Sequence, residues 1–440
     1  MNCGKMACVL VVLWSALTVA QAPVPSPALP QTTSTSTDSP KDYSKESIVV
    51  ESSVGRFWFE NDGTGTRQLS VRMRIQSEAG VRQAGVLRLA YASALEALHI
   101  EYVRVHKPDG TVIETPADGA QDIASDVTQQ APTYSDVREK HIPVKSLAAG
   151  DLLEYSARWN LFKPVTPGHF SFASDFDRSL IYLEQKLEIN VPRDRAVKLK
   201  SAGLKPVITE QGARRVYTWT TSQLEHPSDK DQKKQQAQQQ RQVRTGTLPP
   251  PAVRLSSFQS WEEVGRWYDG LQKERIEPTP EIQKRAAQLT RDATTENDKI
   301  RALYDYVSLR VRYVGVDLGV SAFQPHSAES VEGNGYGDCK DKHTLLATLL
   351  AAEGIHAYAA LINTQRDLDT DVPSPSQFNH VVTAVETDKG IIWLDTTPEV
   401  APFGWLLPPL RGKNALVVSA PAVLKKIPDA PPFRRPKPSV

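Results

Sequence analysis

Between Ser47 and Leu224 apolar and polar residues alternate along the chain. Leu69, Val71, Met73 and Ile75 are separated by single polar residues; Leu187, Ile189 and Val191 repeat the pattern, and Val216 and Trp219 follow it less regularly. A period of two sends successive side chains to opposite faces of a strand. Turn signals recur at Asn61-Asp-Gly63 and Pro108-Asp-Gly110, residue types that suit tight turns. The pattern predicts an antiparallel, sandwich-like β domain over residues 46–225.

The period then changes. Residues 226–256 include Lys233-Lys-Gln-Gln-Ala-Gln-Gln-Gln-Arg241 and end in Pro249-Pro-Pro251, a composition that predicts an exposed polar linker, or alternatively a polar surface for a partner. From residue 257 the spacing is helical. A capping box at Ser260 and Glu263 opens a first helix that buries Val264, Trp267 and Leu271. A second helix runs from about Pro280 to Thr290. A third opens at Thr295 and Asp298 and carries Ile300, Leu303, Tyr304, Val307 and Val311 on one stripe. Asp338 is an N-cap for a fourth, with Asp341 three residues on and Leu345, Leu346, Leu349 and Leu350 as its apolar face. Downstream, Phe378–Glu386 and Ile391–Asp395 are β-rich runs flanking Thr387-Asp-Lys-Gly390, which predicts a hairpin. Residues 257–420 thus form an α+β unit, and the chain as a whole is α+β. A proline-rich tail, expected to be poorly ordered, occupies 421–440.

The N-terminus has the pattern of an export signal over residues 1–20. Lys5 is followed by an apolar run from Val9 to Ala20, with small residues at Thr18, Ala20 and Ala22. Cleavage after Ala20 is favoured because Pro23 follows Ala22. The alternative is an uncleaved anchor, although the run is short for a bilayer span. A Pro/Ser/Thr-rich leader then extends over 21–45. The chain is expected to be exported, periplasmic or secreted, with no stable membrane span once the signal is removed. Its 440 residues suggest two or three domains, and a hydrophobic content of 40% allows a sizeable core. The net charge of +1, with Lys and Arg dispersed, gives no indication of nucleic acid. No Walker loop, dinucleotide fingerprint or His-Glu-x-x-His motif is present, and no ligand spacing surrounds the cysteine. No cofactor and no metal are expected. His99, His106, His141 and His169 are expected to be structural.

After signal removal one cysteine remains, Cys339, within Asn334-Gly-Tyr-Gly-Asp-Cys-Lys-Asp-Lys342. It is either a buried inert thiol or a nucleophile, and its setting favours the nucleophile. The first turn of a helix stabilises thiolate over thiol. Lys340 and Lys342 add positive charge, and Gly335 and Gly337 allow a close approach. A thiolate nucleophile needs a base, and the base an orienting group. His380 begins the first strand of the hairpin and Asp395 ends the second. With the turn centred on Asp388-Lys389 they are diagonal neighbours on one face, whereas a one-residue slip would separate them. His343, one turn beyond Cys339, is expected to be a helix-surface or packing histidine.

The segment from about Trp261 to Val418 resembles the transglutaminase-like superfamily, a papain-like fold. The matching features are Ser260-Trp-Glu-Glu-Val-Gly-Arg-Trp-Tyr268, Val311-Arg-Tyr-Val314, Gly337-Asp-Cys-Lys-Asp-Lys342, Glu353-Gly-Ile-His-Ala357, Phe378-Asn-His380 and Trp393-Leu-Asp-Thr-Thr-Pro398. The resemblance implies Cys339 as nucleophile, His380 as base and Asp395 as orienter. The form of the cysteine motif is similar to that of bacterial exported proteins, except that His343 stands where a small residue is usual. The upstream half resembles the β-rich domain of unknown function that precedes this subtype, through Asn61–Ile75, Lys107–Gly110 and Gly150–Tyr155.

The expected activity is acyl transfer or hydrolysis at an amide or peptide carbonyl through a thioester on Cys339. The expected partner is a protein or peptide substrate, envelope-associated in one reading. The Cys339 backbone N–H would be one oxyanion donor, with Tyr336, Asn334 and Gln324 as candidates for the second. Trp393, Trp405 and the loop 364–377 would border the site. The alternative is a non-catalytic envelope binding or assembly module that keeps the fold.

Overall fold

The structure, a computed structural model, describes residues 41–130, 135–226, 228–315, 323–399 and 401–429. The expected signal peptide, nearly all of the leader and the end of the tail lie outside these residues. These residues divide into two compact units, one holding those from 41 to 239 together with 251–257, the other 240–250 together with those from 258 to 429.

The first unit is built on an eight-stranded sheet. Its strands are β1 (Ile48–Phe59), β2 (Gly65–Ile75), β3 (Glu96–His106), β4 (Val112–Glu114), β5 (Leu152–Leu161), β6 (Ile181–Pro192), β7 (Val207–Gln211) and β8 (Arg214–Gln223), in the order β7-β8-β6-β1-β2-β5-β3-β4. Two three-stranded sheets pack on it. Leu69, Val71, Met73 and Ile75, the alternating apolar set of β2, share a core with Leu87, Leu89 and Ile142. Leu187, Ile189 and Val191 of β6 share another with Phe172, Val253 and Leu255. The polar set of β2 is tied by charge, with Arg72 and Arg74 both on Glu51. The expectation of an antiparallel sandwich needs one correction: β1 and β6 pair in parallel, Val54 opposite Lys186 and Phe57 opposite Ile189. Hairpins impose antiparallel pairing, but β6 returns to β1 only after a long excursion through the other sheets, which leaves its direction unconstrained.

The stretch expected to be a linker is structured in part. A helix spans Asp229–Thr245, and Val253–Ser256 is a fully buried strand that pairs with Ser171–Ser174 and Lys198–Ser201 in the first unit. Four residues are too short for a period to show.

The second unit places helices on a five-stranded antiparallel sheet. The helices are α1 (Trp261–Gln272), α2 (Pro280–Thr290), α3 (Glu296–Arg310), α4 (Ala328–Asn334) and α5 (Cys339–Ala352). The strands are β9 (Ala357–Ile362), β10 (His380–Thr387), β11 (Gly390–Leu394), β12 (Asn414–Val417) and β13 (Val423–Lys426), in the order β11-β10-β9-β12-β13. Expected caps are present: Ser260 Oγ accepts from Glu263 N, and Thr295 and Asp298 form a capping box. The start of the tail departs from expectation, since β13 pairs with β12 and Ile427 is buried. Leu424 and Ile427 supply apolar contacts that outweigh the neighbouring prolines. Every α5 residue from Cys339 to Leu350 is buried. The helix is enclosed because α2, α3 and α4 pack on one side of it and Val385 and Leu394 of the sheet on the other. Among the described residues no helix is long and apolar enough to cross a membrane.

Candidate active site

Four residues fix the start of α5. Asp338 Oδ1 accepts from the backbone N–H of Lys340 (3.0 Å) and Asp341 (3.1 Å), while Asp341 Oδ2 accepts from Asp338 N–H at 3.3 Å. This reciprocal capping box makes Cys339 the first residue of the helix. Gly335 and Gly337 serve this construction. Gly335 has φ +67° and ends α4 in the left-handed conformation, and a Cβ on Gly337 would lie 2.6 Å from Asp341 Cβ. Gly335 is required by its backbone conformation, and Gly337 by the close approach of the protein's own chain.

The two lysines differ from expectation. Lys340 is buried and ion-paired with Asp338. Lys342 is buried and turned toward the end of α3, where its Nζ donates to Val311 O (2.6 Å) and Ser308 O (3.4 Å). These are carbonyls that a helix end leaves unsatisfied. Burial pushes the Lys342 ammonium down to about 8.

The hairpin has the expected register. Thr387 pairs with Gly390 across Asp388-Lys389, and Thr383 pairs with Leu394. Extending that register sets Asp395 opposite Val382, two residues from His380 on the same face. His380 Nε2 and Asp395 Oδ2 are 3.1 Å apart and both residues are buried. Asp395 Oδ1 accepts from Thr397 N–H (3.0 Å) and Thr397 Oγ1 (2.8 Å). Burial alone would raise the Asp395 carboxyl. The His380 imidazole and the Thr397 hydrogen bonds outweigh it and hold the group below the ordinary aspartate value.

Cys339 is 4% exposed and lies in an apolar cluster with Tyr268, Phe378 and Val381. Phe378 and Val381 bracket His380 in sequence. One turn along, His343 Nδ1 is 2.8 Å from Thr383 Oγ1, and further on Leu346 and Leu350 pack with Val385. Helix α5 and strand β10 therefore run in the same direction, with Cys339 at the His380 end of the strand.

His343 is not a surface residue: it is 1% exposed, its Nε2 has no partner, and burial drives its pKa down to about 3. The enclosure of α5 on both sides accounts for this. Of the proposed oxyanion donors, Asn334 is turned back to Ser330 Oγ at 3.4 Å. Trp393 is buried in a core with Ala360, Ile362 and Val382, and Trp405 is stacked under Arg411.

Two tyrosines and a histidine join the site without a motif that marks them. Tyr268, fully buried in the Cys339 cluster, has a hydroxyl without a partner. Tyr304 lies on the apolar stripe of α3, yet its hydroxyl reaches the Asp395 carbonyl at 3.1 Å. A tyrosine on an aliphatic stripe was the available signal, because a buried hydroxyl seeks a partner. His326 donates its backbone N–H to Asp341 Oδ1 (2.8 Å), with its Nδ1 3.1 Å from Oδ2; the hydrogen bond to Asp341 raises its pKa. Among the described residues no three His, Cys, Asp or Glu side chains are grouped to hold a metal.

Two segments of the chain match known families. Residues 283–398 match the transglutaminase-like superfamily, and residues 61–228 match a domain of unknown function, DUF3857. A candidate protease from Parabacteroides distasonis ATCC 8503 superposes with a TM-score of 0.69 at 16% identity, covering 87% of this chain and 72% of its own. At that identity the likeness is one of fold. A candidate cysteine protease from Cytophaga hutchinsonii aligns over 82% of this chain and 85% of its own at 13% identity, with a TM-score of 0.24 that carries no structural argument. No curated protein matches the chain.

Proposed function

We propose that this chain, whose residues 283–398 belong to the transglutaminase-like superfamily, is an exported cysteine enzyme acting by acyl transfer or hydrolysis at an amide or peptide carbonyl. The observation that carries the proposal is the buried 3.1 Å contact between His380 and Asp395, at the end of the strand that runs alongside the Cys339 helix.

With Nε2 engaged by Asp395, Nδ1 is the His380 nitrogen that takes the Cys339 proton. The thiolate attacks the carbonyl carbon and forms a C–S bond. The C–N bond then breaks as His380 returns the proton to the leaving amine. Water or an acceptor amine, deprotonated by His380, attacks the thioester and frees the thiolate. Asp395 holds the imidazole in orientation and stabilises its protonated form. The Cys339 backbone N–H, in the first turn of α5, is the oxyanion donor.

The substrate class is a protein or peptide, envelope-associated if the leader directs export. Treatment of the purified chain with an amide-derived thiol probe at pH 5.5 tests the chemistry. A thiolate–imidazolium pair reacts there, and Cys339 then carries a covalent adduct detectable by mass spectrometry. Absence of labelling until the pH nears that of a free thiol, about 8.5, would support the non-catalytic binding or assembly module instead. N-terminal sequencing of the exported protein tests cleavage after Ala20.

A further inference from the structure

We infer that Tyr304 is a positioning residue for Asp395, an inference that rests on the Cys339–His380–Asp395 reading above. Tyr304 projects from α3 with its side chain buried and its ring edge-on to Phe403, centroids 5.6 Å apart. Its hydroxyl lies 3.1 Å from the carbonyl oxygen of Asp395 and 3.0 Å from that of Ala401. One donor thus gathers two points of the chain leaving β11. Ser308, one helical turn on, adds a weaker contact to Pro398 O at 3.5 Å.

Asp395 needs this support. The ladder between β10 and β11 ends at Thr383–Leu394, so Asp395 lies just beyond the paired strand. Its side chain is fixed by Thr397 on Oδ1 and His380 on Oδ2, and its carbonyl by Tyr304. Burial pushes the Tyr304 phenol up to about 12, so it stays a donor across the working pH range. Loss of the hydroxyl leaves the ring packed and the Asp395 backbone untethered. The carboxylate then drifts from the imidazole, the imidazolium loses stabilisation, and less of Cys339 is thiolate at a given pH.

The test is the pH profile of Cys339 alkylation by iodoacetamide between pH 5 and 9, with folding followed by circular dichroism. Four chains are compared: wild type, Tyr304→Phe, Ser308→Ala and Tyr306→Phe. Tyr306 is a control on the same helix, since its hydroxyl donates to Glu332 at 2.7 Å. In the wild type the rising limb is expected well below about pH 8.5, the value for a free thiol; a limb at that value defeats the parent reading rather than this one. Tyr304→Phe should move the limb up by about one unit, a rate about tenfold lower at pH 6. Ser308→Ala should give a smaller shift in the same direction, and Tyr306→Phe none. A Tyr304→Phe profile that superposes on a low-lying wild-type profile overturns the inference, as does an equal shift in Tyr306→Phe. Should Tyr304→Phe fail to fold, Ser308→Ala decides, an unshifted profile there being the refuting result.

Discussion

Replacing His343 by leucine isolates the consequence of burying a titratable group under α5. In the folded chain the imidazole is enclosed, meets Thr383 Oγ1 through Nδ1 and leaves Nε2 without a partner. Burial lowers its pKa from 6.5 to about 3. The unfolded chain therefore binds a proton below pH 6.5 that the folded chain refuses until about pH 3. Stability is whole above pH 6.5 and is lost as the pH falls, by about 1.4 kcal/mol per unit; integrated down to pH 5 the loss is about 2 kcal/mol. His343→Leu removes that loss. At pH 8 it costs about 1–3 kcal/mol, because the Thr383 hydroxyl is left buried and unpaired. Adding Thr383→Val removes the orphan and should recover most of that cost. The double variant should match the wild type at pH 8 to within about 1 kcal/mol and exceed it at pH 5. Urea titrations followed by circular dichroism at the two pH values measure the difference. Titrations common to all variants cancel in the comparison. If His343→Leu loses as much stability between pH 8 and pH 5 as the wild type, His343 is protonated within the fold and the burial argument is wrong.

Three further outcomes are expected. Against one reporter amide, Cys339→Ser falls to background, His380→Ala loses about 10²–10⁴-fold in rate, and Asp395→Asn loses less because the imidazole keeps a hydrogen-bond partner; activity surviving in His380→Ala would show that another group is the base. Gly337→Ala places a Cβ 2.6 Å from Asp341 Cβ, breaking the capping box at a cost of about 2 kcal/mol by urea titration, and a variant as stable as the wild type would contradict the close approach. Lys342→Met uncaps the end of α3 at a cost of about 1–3 kcal/mol; because the folded ammonium titrates near 8 rather than 10.5, the wild type's margin should grow from pH 8 to pH 10, and a margin that shrinks would place the lysine outside its buried site.

Much of the local structure around the site was legible in the chain. The capping box at Asp338 and Asp341, the helix behind it and the two-residue turn at Asp388-Lys389 each depend on residues within a turn or two of one another. Cap geometry and hairpin register are short-range properties, so the juxtaposition of His380 and Asp395 followed once the turn was placed. The direction of β6 beside β1 was not legible, nor was the buried strand Val253–Ser256, because a four-residue element shows no period and a long excursion sets no direction. The lysines were assigned by proximity in sequence to Cys339, yet Lys342 serves a helix end about thirty residues earlier. The α5 sequence shows one apolar face, which puts His343 at the surface; the packing of three helices and a sheet around α5 buries it. Tyr304 was counted among aliphatic neighbours, and only the return of the chain after β11 brought the Asp395 carbonyl to its hydroxyl. Sequence by itself determines what a segment satisfies internally. Which distant group completes a buried donor, acceptor or charge is decided by tertiary packing, since that partner is brought close by the sum of apolar contacts elsewhere.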